Sequence, residues 1–430
     1  MPIALLQAAG EAAQMPALLG IRVEFFLFAL TLIGVATLHK HAMAVAVSGM
    51  LVILAFKLIF DPSFDFAEHM LGSPEREGEW SILLNLLGLL LGFAILAKHF
   101  EESKVPQVLP AYLPNDWKGG FVLLIMVFVL SSFLDNIAAA MIGGAMALVV
   151  FRGRVHLGFL AAIVAASNAG GSGSVVGDTT TTMMWIEGVP AIEVVPAYIA
   201  AVPALLIFGV VGSLQQDRFN RITRDAPTGV EVEWRRVLIV AMILAGTIAT
   251  NVLFDFPAIG VWVAILVGAT FSKTPWGELS AASKGAIFLL SLVMCASMMP
   301  VEELPPASWV SSFGLGFVSS VFDNIPLTKL ALDQSGYDWG ILAYAVGFGG
   351  SMIWFGSSAG VALSNMYPEA KNTLAYLRNG WHVALAYVVG FMIMLAVHGW
   401  EPKTSTLGVP EHGASVVAPA HFAEVAANAR

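Results

Sequence analysis

Three aspartates, Asp135, Asp178 and Asp323, stand in stretches of sequence that are otherwise almost wholly apolar. A carboxylate in an apolar, membrane-length segment costs about 2.5 to 3.5 kcal/mol on insertion scales and is usually there for function. Each has uncharged polar neighbours: Asn136 follows Asp135, Thr179 and Thr180 follow Asp178, and Asn324 follows Asp323. If the three converge on one cavity they repel a polyanion such as citrate. They would bind Na+ through oxygen ligands, with Asn136, Asn324, Thr180 and Ser357 as neutral partners. A carboxylate also binds protons, so one site can hold either ion, and that competition is sufficient for exchange. A plainer role is open to each aspartate, as a helix cap or an ion-pair partner. Asp323 has Lys329 nearby in sequence, which could pair with it or act as a built-in counter-ion of an empty site.

The segments that carry these residues occur twice. Ser131-Ser132-Phe133-Leu134-Asp135-Asn136-Ile137 aligns with Ser319-Ser320-Val321-Phe322-Asp323-Asn324-Ile325. Downstream, Gly170-Gly171-Ser172, four residues and Gly177-Asp178 align with Gly349-Gly350-Ser351, four residues and Gly356-Ser357. Such glycine clusters let a membrane helix unwind near the midplane, which is tolerated only around a protein-lined cavity, and unwound backbone offers carbonyls and helix ends to an ion. Residues 170–177 read as the break, and Asp178 with its threonines as the capped start of the following half-helix. Gly88 and Gly92 read instead as helix-packing glycines. Gly171-x-Gly173 lacks the third glycine and the preceding strand of a dinucleotide loop.

The elements that must position these residues are membrane helices. With 57% of residues hydrophobic and only 12% charged, against roughly a quarter charged in ordinary soluble domains, lipid is the expected surroundings. Stretches at residues 21–38, 80–97, 237–254 and 380–397 reach or approach the roughly 20 apolar residues that cross a bilayer. The net charge of -9 gives no basic surface for nucleic acid. The single cysteine, Cys295, has no intrachain partner and reads as ordinary core. Residues 1–20 contain no basic residue, read poorly as a signal peptide, and are expected to form an outer tail or surface helix.

Lys and Arg mark the cytoplasmic loops: Lys40, then Lys98, Lys104 and Lys118, Arg152 and Arg154, the group from Arg218 to Arg236, Lys273 with Lys284, and Lys371 with Arg378. The intervening acidic turns go outside. On this reading the stretch between Lys118 and Arg152 enters and returns to the cytoplasm, a re-entrant hairpin, while residues 308–332 form a second hairpin open to the outside. The expected fold is an all-α polytopic membrane protein, an inverted-repeat carrier with two re-entrant hairpins and two broken transmembrane helices. Its parts are N-terminal scaffold helices (1–79), a first repeat (80–214), a cytoplasmic basic linker (215–236), a second repeat (237–400) and a flexible external tail (401–430).

The run Asn168-Ala169-Gly170-Gly171, Gly177-Asp178, Thr180-Thr181 and Trp185, with both Asp-Asn hairpins and the stretch from Gly349-Gly350-Ser351 to Gly360, resembles the NhaD-type sodium/proton antiporters of the ion transporter superfamily. The Asp-Asn hairpins are shared more widely, with arsenite carriers and relatives of citrate and dicarboxylate carriers. The resemblance implies an inverted-repeat transport domain moving against a dimerising scaffold in an elevator-like cycle, as a homodimer in the cell inner membrane. It carries sodium ions and protons as cargo and implies no resident cofactor or metal. Residues and resemblance together mark Asp135, Asn136, Asn168, Gly170, Gly171, Asp178, Thr179, Thr180, Asp323, Asn324, Gly350, Ser351, Ser357 and Ser358 as the ion site, with Lys329 modulating its charge. Two features depart from the pattern: Ile137 and three alanines follow Asn136 where hydroxyl-bearing residues are expected, and Lys329 puts a cation in the second hairpin. An organic-anion or arsenite carrier of the same architecture is the alternative. An intramembrane aspartyl enzyme would also use two membrane aspartates, but not in twin hairpins related by inversion.

His39, His41, His99 and His156 lie at predicted cytoplasmic ends, where a histidine can sense pH, though the commoner role is interfacial. Trp80, Trp262, Trp309, Trp339 and Trp400 fall near predicted helix ends and read as an aromatic belt.

Overall fold

The computed structural model describes residues 16–18, 20–38, 41–73, 76–108, 113–222 and 230–403. The expected flexible tail falls outside them from residue 404, as do residues 223–229 of the basic linker and nearly all of the expected N-terminal tail. Of that last segment, the part described includes Ala17–Leu18, a two-residue strand (β1) paired antiparallel with Ile21–Arg22 (β2) rather than a helix.

Helices dominate the rest. In chain order they are α1 (Val23–Thr37), α2 (Ala42–Phe60), α3 (Phe66–Leu71), α4 (Glu79–Glu102), α5 (Val105–Val108), α6 (Trp117–Ser131), α7 (Asn136–Val150), α8 (Leu157–Gly171), α9 (Thr179–Ile186), α10 (Ala191–Val194), α11 (Tyr198–Phe219), α12 (Trp234–Phe254), α13 (Pro257–Ala269), α14 (Glu278–Ser297), α15 (Trp309–Ser319), α16 (Asn324–Gln334), α17 (Trp339–Gly349), α18 (Ser358–Met366), α19 (Thr373–Asn379) and α20 (Trp381–Val397). Five of the described helical segments are long and apolar enough to cross a membrane, and the bent pair α19–α20 makes a sixth if it is one span. Large apolar side chains lie exposed along α12 and α13, among them Leu238, Ile248, Val252, Val263 and Leu266. A soluble monomer rarely exposes so continuous an apolar face; in a polytopic membrane protein it faces lipid.

The helices sort into two packed groups. One comprises α1, α2, α4, α12, α13 and α14. Its close crossings depend on glycine: a Cβ at Gly88 would lie 2.7 Å from Ala258 Cβ, and one at Gly92 2.0 Å from Val261 Cγ1, which is the packing role read from sequence. The other group comprises α6 to α11 and α15 to α20, with α11 against α20, α8 and α6, and α15 against α17. Stacked rings of Tyr344, Phe348 and Tyr387 fill part of its centre. Trp339 belongs here too, 2% exposed. It is core packing and not part of an aromatic belt, because neighbouring chain covers this helix start.

Within this second group the duplicated motifs make duplicated contacts. The Ser131 hydroxyl donates to Ser167 O, and the Ser319 hydroxyl to Val346 O. A Cβ on Gly170 would meet Phe128 O at 2.0 Å, and one on Gly349 would meet Gly316 O at 2.3 Å. Gly171 closes on Gly177 O as Gly350 closes on Gly356 O. Bare glycine backbone is what lets each helical pair seat against the interrupted helix beside it.

Candidate functional site

All three aspartates start helices. Asp135 caps α7 through Ile137 N at 3.2 Å, Asp178 caps α9 through Thr180 N at 3.1 Å, and Asp323 caps α16 through Ile325 N at 3.1 Å. Ser357, the counterpart of Asp178, caps α18 through Gly360 N. Aspartate and serine are favoured there because the side chain satisfies an amide that the first turn leaves open. The two interruptions run from Gly171 to Asp178 and from Gly349 to Ser357, between α8 and α9 and between α17 and α18. Four helix starts and two interruptions therefore supply the polar groups.

These groups are joined across the two halves of the chain. Asn136 donates to Asn168 Oδ1 at 3.1 Å, and Asn168 donates in turn to Ser351 Oγ at 2.9 Å. Asn324 reaches Asp178 Oδ1 at 3.5 Å, the long limit of a hydrogen bond. Thr179 Oγ1 also donates to Asp178 Oδ1, at 3.3 Å, and Ser358 donates to Asp323 Oδ2 at 3.2 Å. Asp178, 1% exposed, is central and interacts electrostatically with both Asp135 and Asp323. Its Oδ2 and the Oδ1 of Asn136 are buried and accept no hydrogen bond from the chain. Among the described residues, no ion pair joins Asp135, Asp178 or Asp323 to a lysine, arginine or histidine. Such a set of carboxylate, amide and hydroxyl oxygens can hold a small hard cation or protons, and offers no cationic side chain to an anion.

A cavity of about 730 Å³ leads to Asp135. It is lined mainly by α4, α7 and α14, among them Asp135, Ile137 and Ala138 with Lys98, Glu101 and Glu278. On the opposite side α16 packs directly on α14, its Leu330 and the preceding Phe322 against the core formed with Leu292, Cys295 and Met299.

Lys329 is elsewhere than the sequence led us to expect. Its ammonium is 1% exposed and lies 2.6 Å from Glu187, 2.9 Å from Asp333 and 3.1 Å from Glu79; those carboxylates, and not Asp323, are its ion-pair partners. Sequence reasoning also passed over Tyr198, whose hydroxyl donates to Ser132 Oγ at 2.9 Å or Gly170 O at 3.1 Å and so ties the turn after α6 to the end of α8. Gly347 was missed as well: a Cβ there would lie 3.1 Å from Asp178 Oδ2. No local signal distinguished Tyr198, whereas Glu187 was visible as an acid ending an apolar stretch. Of the histidines, His99 lies 3.2 Å from Arg236 and His156 accepts from Gly158 N as a cap; His39 is outside the described residues.

A sequence profile for the Citrate transporter family matches residues 25–349. Sodium/proton antiporter 1 of Arabidopsis thaliana is 26% identical over 381 residues, 76% of this chain and 64% of that protein's length. Sodium/proton antiporter 2 of the same plant is 25% identical over 366 residues, 74% of this chain and 86% of that protein. The Na(+)/H(+) antiporter NhaD of Vibrio parahaemolyticus is 25% identical over 398 residues, 75% of this chain and 93% of that protein.

Proposed function

The chain belongs to the citrate transporter family, and within it we propose that this member is a secondary carrier exchanging sodium or lithium for protons across the cell inner membrane. One observation carries the reading: a buried aspartate, Asp178, with an oxygen left free of hydrogen bonds, neighboured by two further aspartates and, among the described residues, by no cationic side chain. A buried carboxylate needs a proton or a cation, and one site that accepts either can exchange them. Relatives named as sodium/proton antiporters agree with this.

The mechanism we infer is alternating access built on an inverted repeat. The duplicated hairpins α6–α7 and α15–α16 with their interrupted helices form a mobile body, and α1, α2, α4 and α12 to α14 form the scaffold, the surface on which two copies would dimerise. Two facts support it. Matching motifs make matching contacts in both halves, and the equivalent boundaries differ: α16 is packed closely on α14, while α7 meets α4 at few points and both line the cavity. With Lys98 in the lining and Arg236 paired with Glu102 at the end of α4 read as cytoplasmic, we read this arrangement as inward-facing, and an elevator-like shift would exchange the two boundaries.

Carriage of citrate is the second reading, favoured by the family's name alone. Sodium added to everted vesicles holding an acid interior should dissipate the pH gradient in cells expressing the protein, and citrate should not. Dissipation by citrate without any response to sodium or lithium would reverse the order of the two readings.

A further inference from the structure

We infer that Lys329 is a positioning residue of the exchange cycle: it clasps the mobile body to the scaffold on the outer side, and among the described residues no matching clasp stands on the inner side. The inference rests on the inverted-repeat reading above and adds an asymmetry to it.

Lys329 and Asp333 lie on α16, and Glu187 ends α9; these move together if the hairpin body moves. Glu79 opens α4, on the scaffold. The Lys329 ammonium binds all three at 2.6 to 3.1 Å with almost no solvent contact, so any sliding of one body past the other parts Lys329 from Glu79 while leaving it two carboxylates. A charge held at a buried boundary fixes one arrangement, because separating it from a partner there is costly.

The inner boundary can be compared residue by residue. Alignment of 137–145 with 325–333 puts Met141 opposite Lys329 and Ala145 opposite Asp333. Alignment of 178–187 with 357–366 puts Met366 opposite Glu187, and Glu79-Trp80-Ser81 matches Glu278-Leu279-Ser280 at the start of α14. All four counterparts, Met141, Ala145, Met366 and Glu278, line the cavity. The outer boundary, with one lysine among three acids at these positions, is closed; at the four matched positions of the inner one stand two methionines, an alanine and one acid, all lining the cavity. Ala138 faces that cavity, whereas its counterpart Pro326 is buried. Chemistry differs at the matched positions where geometry is repeated: the closed boundary carries a lysine on the hairpin itself, whereas the lysine lining the open one, Lys98, belongs to the scaffold helix α4.

The test is accessibility, read with a membrane-impermeant maleimide in a Cys295→Ser background, Cys295 being the chain's sole cysteine. Ala138→Cys should react from the cytoplasmic face and Pro326→Cys should be silent from outside. Lys329→Met leaves three acids to repel one another across the outer boundary, and should slow labelling of Ala138→Cys by at least about threefold while Pro326→Cys becomes reactive. Met141→Lys with Met366→Glu installs a pair on the inner side with Glu278 in reach, and should slow Ala138→Cys similarly; it carries the test if Lys329→Met does not fold. Unchanged labelling at both reporters in a folded variant of either kind overturns the clasp. Labelling needs no transported ion, so a protein that fails to exchange sodium but shows these shifts keeps the clasp and loses the assignment of its cargo.

Discussion

Asp178→Asn is expected to abolish sodium-driven proton movement while the protein still inserts and folds. Asparagine has nearly the same shape and is as good a helix cap as aspartate, so the bond to Thr180 N that starts α9 survives. What disappears is the charge. A unit charge about 4 Å from a bound cation contributes about 4 kcal/mol at an effective dielectric of 20, so cation affinity should fall by about three orders of magnitude. Sodium-induced pH changes in everted vesicles, set beside the variant's yield and monodispersity in detergent, are the measurement. Exchange at the parent's rate would remove Asp178 from the site. Asp135→Asn should behave alike. Asp323→Asn has no reason to be milder, because Lys329, the neighbour that could have compensated it, is taken up by Glu79, Glu187 and Asp333.

Gly170→Ala should be nearly as damaging, through backbone geometry in place of charge. The added Cβ would sit 2.0 Å from Phe128 O, and a carbonyl within a helix cannot swing away as a side chain can. Either α6 lifts from α8 or the interruption shifts, and each outcome loosens the seat of Ser131 on Ser167 and displaces Asp178. Overpacking of this kind typically costs about 1 to 3 kcal/mol, occasionally more. The variant should melt earlier in detergent and lose exchange even where it folds. Gly314→Ala is the control: nothing lies within 4 Å of its Cβ position in α15, and in a helix interior the change should be neutral or stabilise by up to about 1 kcal/mol. Equal behaviour of the two variants would refute the close approach.

What the sequence made legible is chemistry that acts locally. Asp178 before a run of threonines announces a cap wherever the helix lies, and the glycine clusters mark a break because no other residue permits such backbone approach. The duplicated Ser-Ser-x-x-Asp-Asn segments could be matched by eye. Partners across the fold were not legible. Lys329 looked like the counter-ion of Asp323, six positions away in the chain, yet α16 points its ammonium at Glu79, separated from it by 250 positions. The relay from Asn136 through Asn168 to Ser351 joins residues 32 and 183 positions apart. Trp339 failed for the same reason: position at a helix start says nothing about whether another helix covers it.

Sodium and protons compete for one group of carboxylates if the protein is the exchanger proposed. Purified protein in detergent and weak buffer, titrated with sodium, should release protons saturably as the cation displaces them. Lithium should act alike, and Asp178→Asn should release none at the same concentrations. Absence of any sodium- or lithium-dependent proton release from folded protein, together with saturable binding of citrate, would contradict that competition.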